Sequence, residues 1–305
     1  MKYAWIAKHK HYWPIALTCE VLDVSVSGYF EHQRNQGRHK TRAADGANPS
    51  NRVHRDALLV HIRAIHAEVK GEYGWPKIHR ELHDRGVRVG KERVRKIMQR
   101  EGIRAFGKKK FVVTTDSAHT LAVAPNLLAR NFVASAPNQV WTTDITYIAT
   151  NEGWLFLAVM IDLHSRMVVG WSMQAHMQSS LVTDALRMAN FRRKPGAGLI
   201  VHSDRGSQYC GQEFQRALKD YAMKSSMSRK GDCWDNAPTE SFWGHLKVAR
   251  IHGKRFATRR EAKDEIVDWL SFYNAKRLHQ TLGYVSPATY EKRWLIAQNN
   301  NQLAA

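Results

Sequence analysis

The chain has 305 residues, 43% of them hydrophobic, and carries 47 Lys and Arg against 27 Asp and Glu, a formal net charge of +20. That apolar content excludes a disordered tail, and the length suits two or three domains, one with a sizeable core. Cys19, Cys210 and Cys233 contain no Cys-x-x-Cys pair, which supports neither a zinc ribbon nor a disulfide framework and fits a reducing cytoplasm. The longest apolar run, 154–161, is too short for a bilayer, and the first residues lack a signal-peptide core, so a soluble cytoplasmic protein with no membrane partner is expected. Basic residues recur along the whole chain, which favours a polyanionic partner, nucleic acid first. A ribosomal protein, or a basic protein with no such partner, carries the same charge.

Residues 1–36 read as a helical segment with the outline of a helix-turn-helix: 14–30 look helical, with Leu17, Val21 and Val24 spaced as an inward face, and 24–30 could hold the turn into a second helix. Gly37, Gly46 and Pro49 mark 37–53 as a linker. Within 54–105, Leu58, Ile62, Ile65 and Val69 recur at helical spacing, Gly74 and Pro76 break the chain, and Ile78 and Leu82 stripe the next helix up to Gly86. Lys91–Arg100 follows, with Val94, Ile97 and Met98 inward, Arg93, Arg95, Lys96 and Arg100 outward, and Gly102 as its stop. Two short helices joined by a Gly-containing turn, the second basic, read as a DNA-binding helix-turn-helix; a solvated basic helix is an equal alternative. The linker 106–137 opens with Lys108-Lys109-Lys110, a phosphate-contacting strap or a solvated charge run.

From 138 the pattern becomes α/β. Val140–Ile148 alternates, with Thr142, Asp144 and Thr146 on one face and Trp141, Thr143, Ile145 and Tyr147 on the other. A continuously apolar strand follows at 155–161, then strands at 167–172 and 199–201, with a helix at 179–191 between the last two. Phe214, Leu218 and Tyr221 mark a further helix. Asn236 can cap a helix through Arg250, with Pro238 in its first turn, and Thr258 with Glu261 makes a capping box for a long helix to about Tyr273. This order gives an RNase H-like core over 138–292, a mixed five-stranded sheet with flanking helices, preceded by the all-α region. Residues 293–305 read as a tail, frayed from Gln298.

Three carboxylates stand out. Asp144 sits mid-strand among Thr and apolar residues, where an unpaired charge is costly. Asp204 follows a short apolar strand, at the sheet edge where α/β folds place ligands. Glu240 lies in the first turns of a helix that carries Lys247 on the same face. Hard divalent cations prefer such oxygen ligands, and two of them can activate an attacking oxygen and stabilise a leaving one. Asp162, Asp232 and Asp235 compete, but the first ends a strand and the others sit in a turn before a helix.

The segments WTTDITYI (141–148), HSDRGSQY (202–209), SMSRKGDCWDNAPTESFWGHLK (226–247) and YNAKRLHQTLGYVSP (273–287) resemble the retroviral-integrase-type catalytic core. More closely, they are similar to the second-reading-frame transposases of the bacterial insertion-sequence-three family. The stretch 72–103 resembles that family's helix-turn-helix, and with VSVSGYF the resemblance spans nearly the whole chain. The family signature (Asp, Asp, 35 residues, Glu, then Lys seven positions on) falls on Asp144, Asp204, Glu240 and Lys247. The resemblance implies a metal-dependent transposase that cleaves element ends and transfers strands, with Mg²⁺ (or Mn²⁺), two ions per site, held by those three acids. It also implies double-stranded DNA as partner, both terminal inverted repeats and target, a homo-multimer at synapsis, and the first-frame product as a companion or frameshift fusion. The place of action is then the bacterial cytoplasm, at the nucleoid. Ala249 departs from the family, which commonly has an acid there. The competing functions are a catalytically inactive DNA-binding regulator derived from a transposase, which the complete acid set argues against, and a nuclease acting on RNA–DNA hybrids.

His202 orients a carboxylate or a water, or is structural; Asn236 holds the active-site turn, or simply caps. Lys247 contacts the DNA end, or is solvated. Trp243, Tyr284 and His279 read as packing, and Cys210 and Cys233 as inert. Charge alone generates one test: DNA affinity measured by fluorescence anisotropy should fall by about 10³-fold or more between 50 and 200 mM salt, as expected of a protein displacing several counterions. A flat salt dependence would show that the basic surface does not bind phosphates.

Overall fold

The computed structural model of the protein describes residues 2–11, 13–34, 55–106, 121–229 and 233–303. The first helices, α1 (Lys2–His9), α2 (Ile15–Val21) and α3 (26–34), close on Ile6, Cys19 and Tyr29. The face expected to turn inward is only partly right. Val24 packs there, but Leu17 and Val21 are 48% and 76% exposed. In so short a helix the position of α1 selects the buried side, which runs through Ile15, Thr18, Cys19 and Leu22.

The next unit joins α4 (Arg55–Glu68), α5 (Trp75–Asp84) and α6 (Lys91–Arg100). Leu58, Ile62, Ile65, Ile78, Leu82, Val94, Ile97 and Met98 form one core, as their spacing anticipates. Pro76 sits in the first turn of α5, where its missing N–H is harmless. Lys108, Lys109 and Lys110 lie outside the described residues, so their expected contact with phosphate has no structural counterpart here.

The α/β part is built on a mixed sheet of β1 (Val140–Thr150), β2 (Gly153–Asp162), β3 (Val168–Gln174), β4 (Ile200–Ser203) and β5 (Lys224–Met227), in the order β3-β2-β1-β4-β5. The first three form an antiparallel meander, while β4 and β5 run parallel to β1. One face is covered by α7 (Ser179–Arg193), α8 (Ser207–Cys210) and α9 (Gln212–Asp220), over Trp141, Met160, Leu186 and Phe214. Gly170 makes this possible: a Cβ there would overlap the Ala185 carbonyl and the backbone of Ala189 on α7. The other face is covered by α10 (Ala237–Leu246) and α11 (Arg259–Ala275), over Leu157, Phe242 and Trp269. Thr258 caps α11 by accepting from Glu261 N, the expected capping box. The helix expected through Arg250 instead ends at Leu246 and continues as a π-helical turn, Lys247–Ile251.

A final helix, α12 (Pro287–Leu303), begins within the expected core and runs on through most of 293–305, read as a tail frayed from Gln298. Its asparagine-rich end carries little helical signal, but tertiary contacts hold its first half: Glu291 pairs with Arg193 at 2.6 Å, and Tyr290 and Trp294 flank the His164 ring. No helix among the described residues is long and apolar enough to cross a membrane.

The helical unit and the sheet unit share an interior. Leu278 joins the α4–α6 core, and the Tyr73 hydroxyl accepts from Leu278 N at 2.8 Å. Beside it, the buried Glu72 carboxylate lies 3.2 Å from Arg250 and 3.7 Å from Arg277, and accepts from the Trp269 indole at 3.1 Å. Removing one member of a buried charge network strands the others, so Glu72→Gln should cost about 3 kcal/mol or more in urea unfolding. A loss under about 1 kcal/mol would place this junction among weak, solvent-screened ion pairs.

Candidate active site

Asp144 lies in the middle of β1, on the face covered by α10. Its neighbour Thr142 meets Thr239 of α10 at 2.9 Å, whereas Thr143, on the other face, meets Tyr209 of α8 at 3.2 Å. The pairing of Trp141 with Val201 and Thr142 with His202, continued two residues on, brings the end of β4 and Asp204 beside Asp144. From above, Trp243 of α10 donates its indole N–H to Asp144 Oδ2 at 2.9 Å, and Glu240 stands one helical turn before it. The backbone N–H of Ile145 donates to Asp144 Oδ1 at 2.8 Å, and that of Gly206 to Asp204 Oδ1 at 3.0 Å.

Burial, and then the Asp204 charge, push the Asp144 carboxyl up to about 7, with Glu240 adding to the rise. Burial likewise raises Glu240 above its ordinary value. Lys247, in the π turn after α10, holds its ammonium 5.9 Å from the centre of the Tyr147 ring. Burial lowers its pKa while the Asp144 charge raises it, so it too reaches this site.

Asp144 and Asp204 side by side, with Glu240 on the helix above, suit a divalent cation. Among the described residues, no three His, Cys, Asp or Glu side chains stand together closely enough to hold a metal ion by themselves. Mg²⁺ does not require such a cluster, because it typically uses one or two carboxylates and completes its shell with water and substrate phosphate. The oxygen-only donor set fits that ion.

Hydrogen bonds engage the residues around these acids. Asn236 precedes α10 but makes no side-chain cap; it donates to the carbonyl of Thr143 at 3.3 Å and accepts from Thr239, tying the helix start to β1. Both His202 ring nitrogens are taken by protein. Nε2 faces the Asp235 carbonyl at 3.0 Å and therefore carries the proton, leaving Nδ1 to accept from Ser226 at 2.8 Å. Burial lowers its pKa, consistent with a neutral ring. Trp243, read as packing, is the donor that orients Asp144. Asp162 is fully buried and accepts from Asn138, His164 and Ser165, so it is a turn residue. Asp232 lies outside the described residues.

The cations of α6 belong to the helical unit. Lys96 and Arg100 are exposed; Arg95 pairs with Glu92 at 2.9 Å, and Arg100 with Glu101 at 3.5 Å. Such surface pairs are weak and readily exchanged for a phosphate.

Asp235, which competed with the three acids, is held out of the site. Its carboxylate has no exposed surface and accepts from Arg229, Arg130 and Asn126. The Arg229 hydrogen bonds, aided by Arg130, hold it well below the usual carboxylate range. A folded-state pKa depressed in this way stabilises the protein above the unfolded value near 3.9, and the stabilisation is lost as pH falls below it. Asp235→Asn should therefore lower unfolding free energy by about 2–3 kcal/mol at pH 7, with the gap to the parent closing below about pH 4. Equal gaps at pH 7 and pH 3.5 in urea melts would contradict this.

Comparison with known proteins agrees with this architecture. An HTH-like domain model matches residues 54–111, and two integrase core domain models match 134–233 and 221–287. Among solved structures the chain is similar to the HTLV-2 integrase catalytic core domain in complex with magnesium, at 19% identity and a TM-score of 0.37 over 48% of this chain and 93% of that one. It is also similar to the simian T-cell lymphotropic virus intasome, at 16% identity and a TM-score of 0.45 over 75% of this chain and 74% of that one. Over 278 residues it is 41% identical to an insertion element IS600 31 kDa protein of Shigella sonnei, covering 90% of this chain and 98% of the relative. Over 294 residues it is 41% identical to transposase InsF for insertion sequence IS3A of Escherichia coli (strain K12), covering 96% of this chain and 99% of the relative. The chain belongs to the InsF-type transposases of the IS3 family, enzymes with an integrase core.

Proposed function

We propose that this transposase hydrolyses the phosphodiester at each end of its element and then transfers the freed strand end, using Asp144, Asp204 and Glu240. The observation that carries this reading is the register that sets Asp204, at the end of β4, beside Asp144 on β1, with the Glu240 charge on α10 felt at Asp144. In the first step a water oxygen bonds to phosphorus, the P–O3′ bond breaks, and the 3′-hydroxyl leaves. In the second, that hydroxyl attacks another phosphodiester and a second P–O3′ bond breaks, so one ester replaces another and no external energy is needed.

The three acids would hold two Mg²⁺ ions, or Mn²⁺. Bound there, the ions would activate the attacking oxygen and stabilise the leaving one. Trp243 fixes the Asp144 carboxylate, while Asn236 and His202 position the chain around α10 and β4. Lys247 lies where a strand-end phosphate would approach Asp144. The α6 face, with Arg93, Arg95, Lys96 and Arg100, contacts the terminal repeats, and Lys108, Lys109 and Lys110 add phosphate contacts. The active form is a multimer synapsing both ends, with the first-frame product as companion or fusion, at the bacterial nucleoid.

Asp144→Asn, Asp204→Asn and Glu240→Gln should each reduce cleavage and joining of an end duplex to background while gel-shift affinity stays near the parent's. Trp243→Phe, which removes only the donor to Asp144, should slow turnover by about 10–100-fold, the range for partners that orient metal ligands. Near-parental turnover in any acid variant would remove that residue from the site; an inert parent protein would favour a DNA-binding regulator.

A further inference from the structure

A second concave site lies where the helical unit meets the sheet unit. A cavity of about 430 Å³ opens between α5, α10 from Ala237 to His245, the end of α11 and the segment 277–281. Three cations line it: Lys77 from α5, Arg166 from the β2–β3 turn, and Arg277 after α11. No carboxylate lines it. Ala237 and Pro238 contribute the first turn of α10, whose backbone dipole adds partial positive charge.

These cations are poorly compensated. Lys77 forms no ion pair among the described residues; its ammonium rests 4.9 Å from the centre of the Tyr73 ring. Arg166 donates to the Phe132 carbonyl at 3.1 Å, and the nearby Asp162 is committed to Asn138, His164 and Ser165. Arg277 is 4% exposed; its Nε faces Glu72, which it shares with Arg250, at 3.7 Å, and its Nη1 meets His279 Nε2 at 3.2 Å. Burial, with Arg277 adding to it and Glu72 opposing it, pushes the Lys77 ammonium down to about 7, and burial with Arg277, Lys77, His245 and Arg166 pushes His279 down to about 2. An anion entering the cavity would offset the charge that Lys77 and Arg166 bring to it.

We propose that this cavity binds a phosphate group, supplied by a DNA strand or by a free phosphate or mononucleotide. The site stands on the cavity itself, and only its assignment to DNA rests on the strand-joining activity proposed above. Lys77 and Arg166 offer charge to the phosphate oxygens, and Arg277, held by Glu72 and His279, adds to the positive field behind them. With DNA bound, the phosphate would be gripped jointly by the DNA-reading and catalytic units.

Protection of Lys77 tests this on the full chain. The parent is acylated at pH 7.5 with an N-hydroxysuccinimide ester, and Lys77 is quantified by peptide mass spectrometry against Lys292, an exposed lysine on α12. Inorganic phosphate and dAMP, each several times above its dissociation constant, should slow Lys77 acylation by roughly fivefold and leave Lys292 unchanged. Gln280→Glu, which puts a negative charge on the exposed rim, should abolish the protection. A DNA duplex that also protects identifies a strand as the source; protection by phosphate and dAMP alone identifies a small anion. Unchanged acylation with every ligand overturns the proposal, as does protection by duplex only, or protection undiminished in Gln280→Glu. Joining assays run in parallel separate the two readings. A parent that joins DNA with Lys77 unprotected sinks this site alone, and one protected by phosphate yet inert on DNA sinks the strand-joining reading alone.

Discussion

Asp144 places a carboxyl group on the central strand of the sheet, near Asp204 and Glu240, with an indole N–H and a backbone N–H as its donors. Gathering carboxylates away from water is unfavourable, and the surrounding structure is arranged so that they cannot separate. Strand pairing with β2 fixes the height of Asp144, and β4 brings Asp204 to the same level. The start of α10 is tied to β1 through Asn236, Thr239 and Thr142, which holds Glu240 within reach. The turn before α10 is in turn held by Asp235 and its arginines. The electrostatic cost at the site is thus offset by packing and hydrogen bonds in the layers around it.

Much of this was legible in the sequence where one physical signal dominated. Strict alternation along β1 assigned Asp144 and Trp141 to opposite faces, and the capping pair Thr258 and Glu261 located the start of α11. Apolar stripes on α4, α5 and α6 identified their buried sides. What could not be read depended on partners distant in the chain. Trp243 looked like core because a single apolar residue does not show which acceptor its N–H meets. Asn236 stood between holding the active-site turn and simple capping, because local geometry favours a cap; β1 takes its amide. Lys224–Met227 is polar and short, and only its place beside β4 makes it a strand. The inward face of α2 was misread because α1 decides it, and α12 was missed because its contacts come from Arg193 and His164.

The same division holds for function. The three acids were expected from their positions on strand and helix and from the family resemblance, but the junction between the two units was not. Glu72, Arg250 and Arg277 are far apart in sequence and each reads as an ordinary surface charge. Only the folded chain makes them one buried group, with Trp269 and Tyr73 closing around it. The motif at 273–287, which seemed to belong wholly to the catalytic part, supplies Leu278 to the core of the helical part.

That shared interior bears on how mobile elements can exchange parts. A recombination crossover between Arg100 and Val140 would pair one parent's Glu72 and Tyr73 with another's Arg250, Arg277 and Leu278. A mismatched descendant would bury unpaired guanidinium groups before it ever met DNA. A crossover N-terminal to Arg55 leaves every member of the group on one side. Lineages of this architecture are therefore expected to trade their first helices freely, while the helical unit and the sheet unit descend together as a single heritable block.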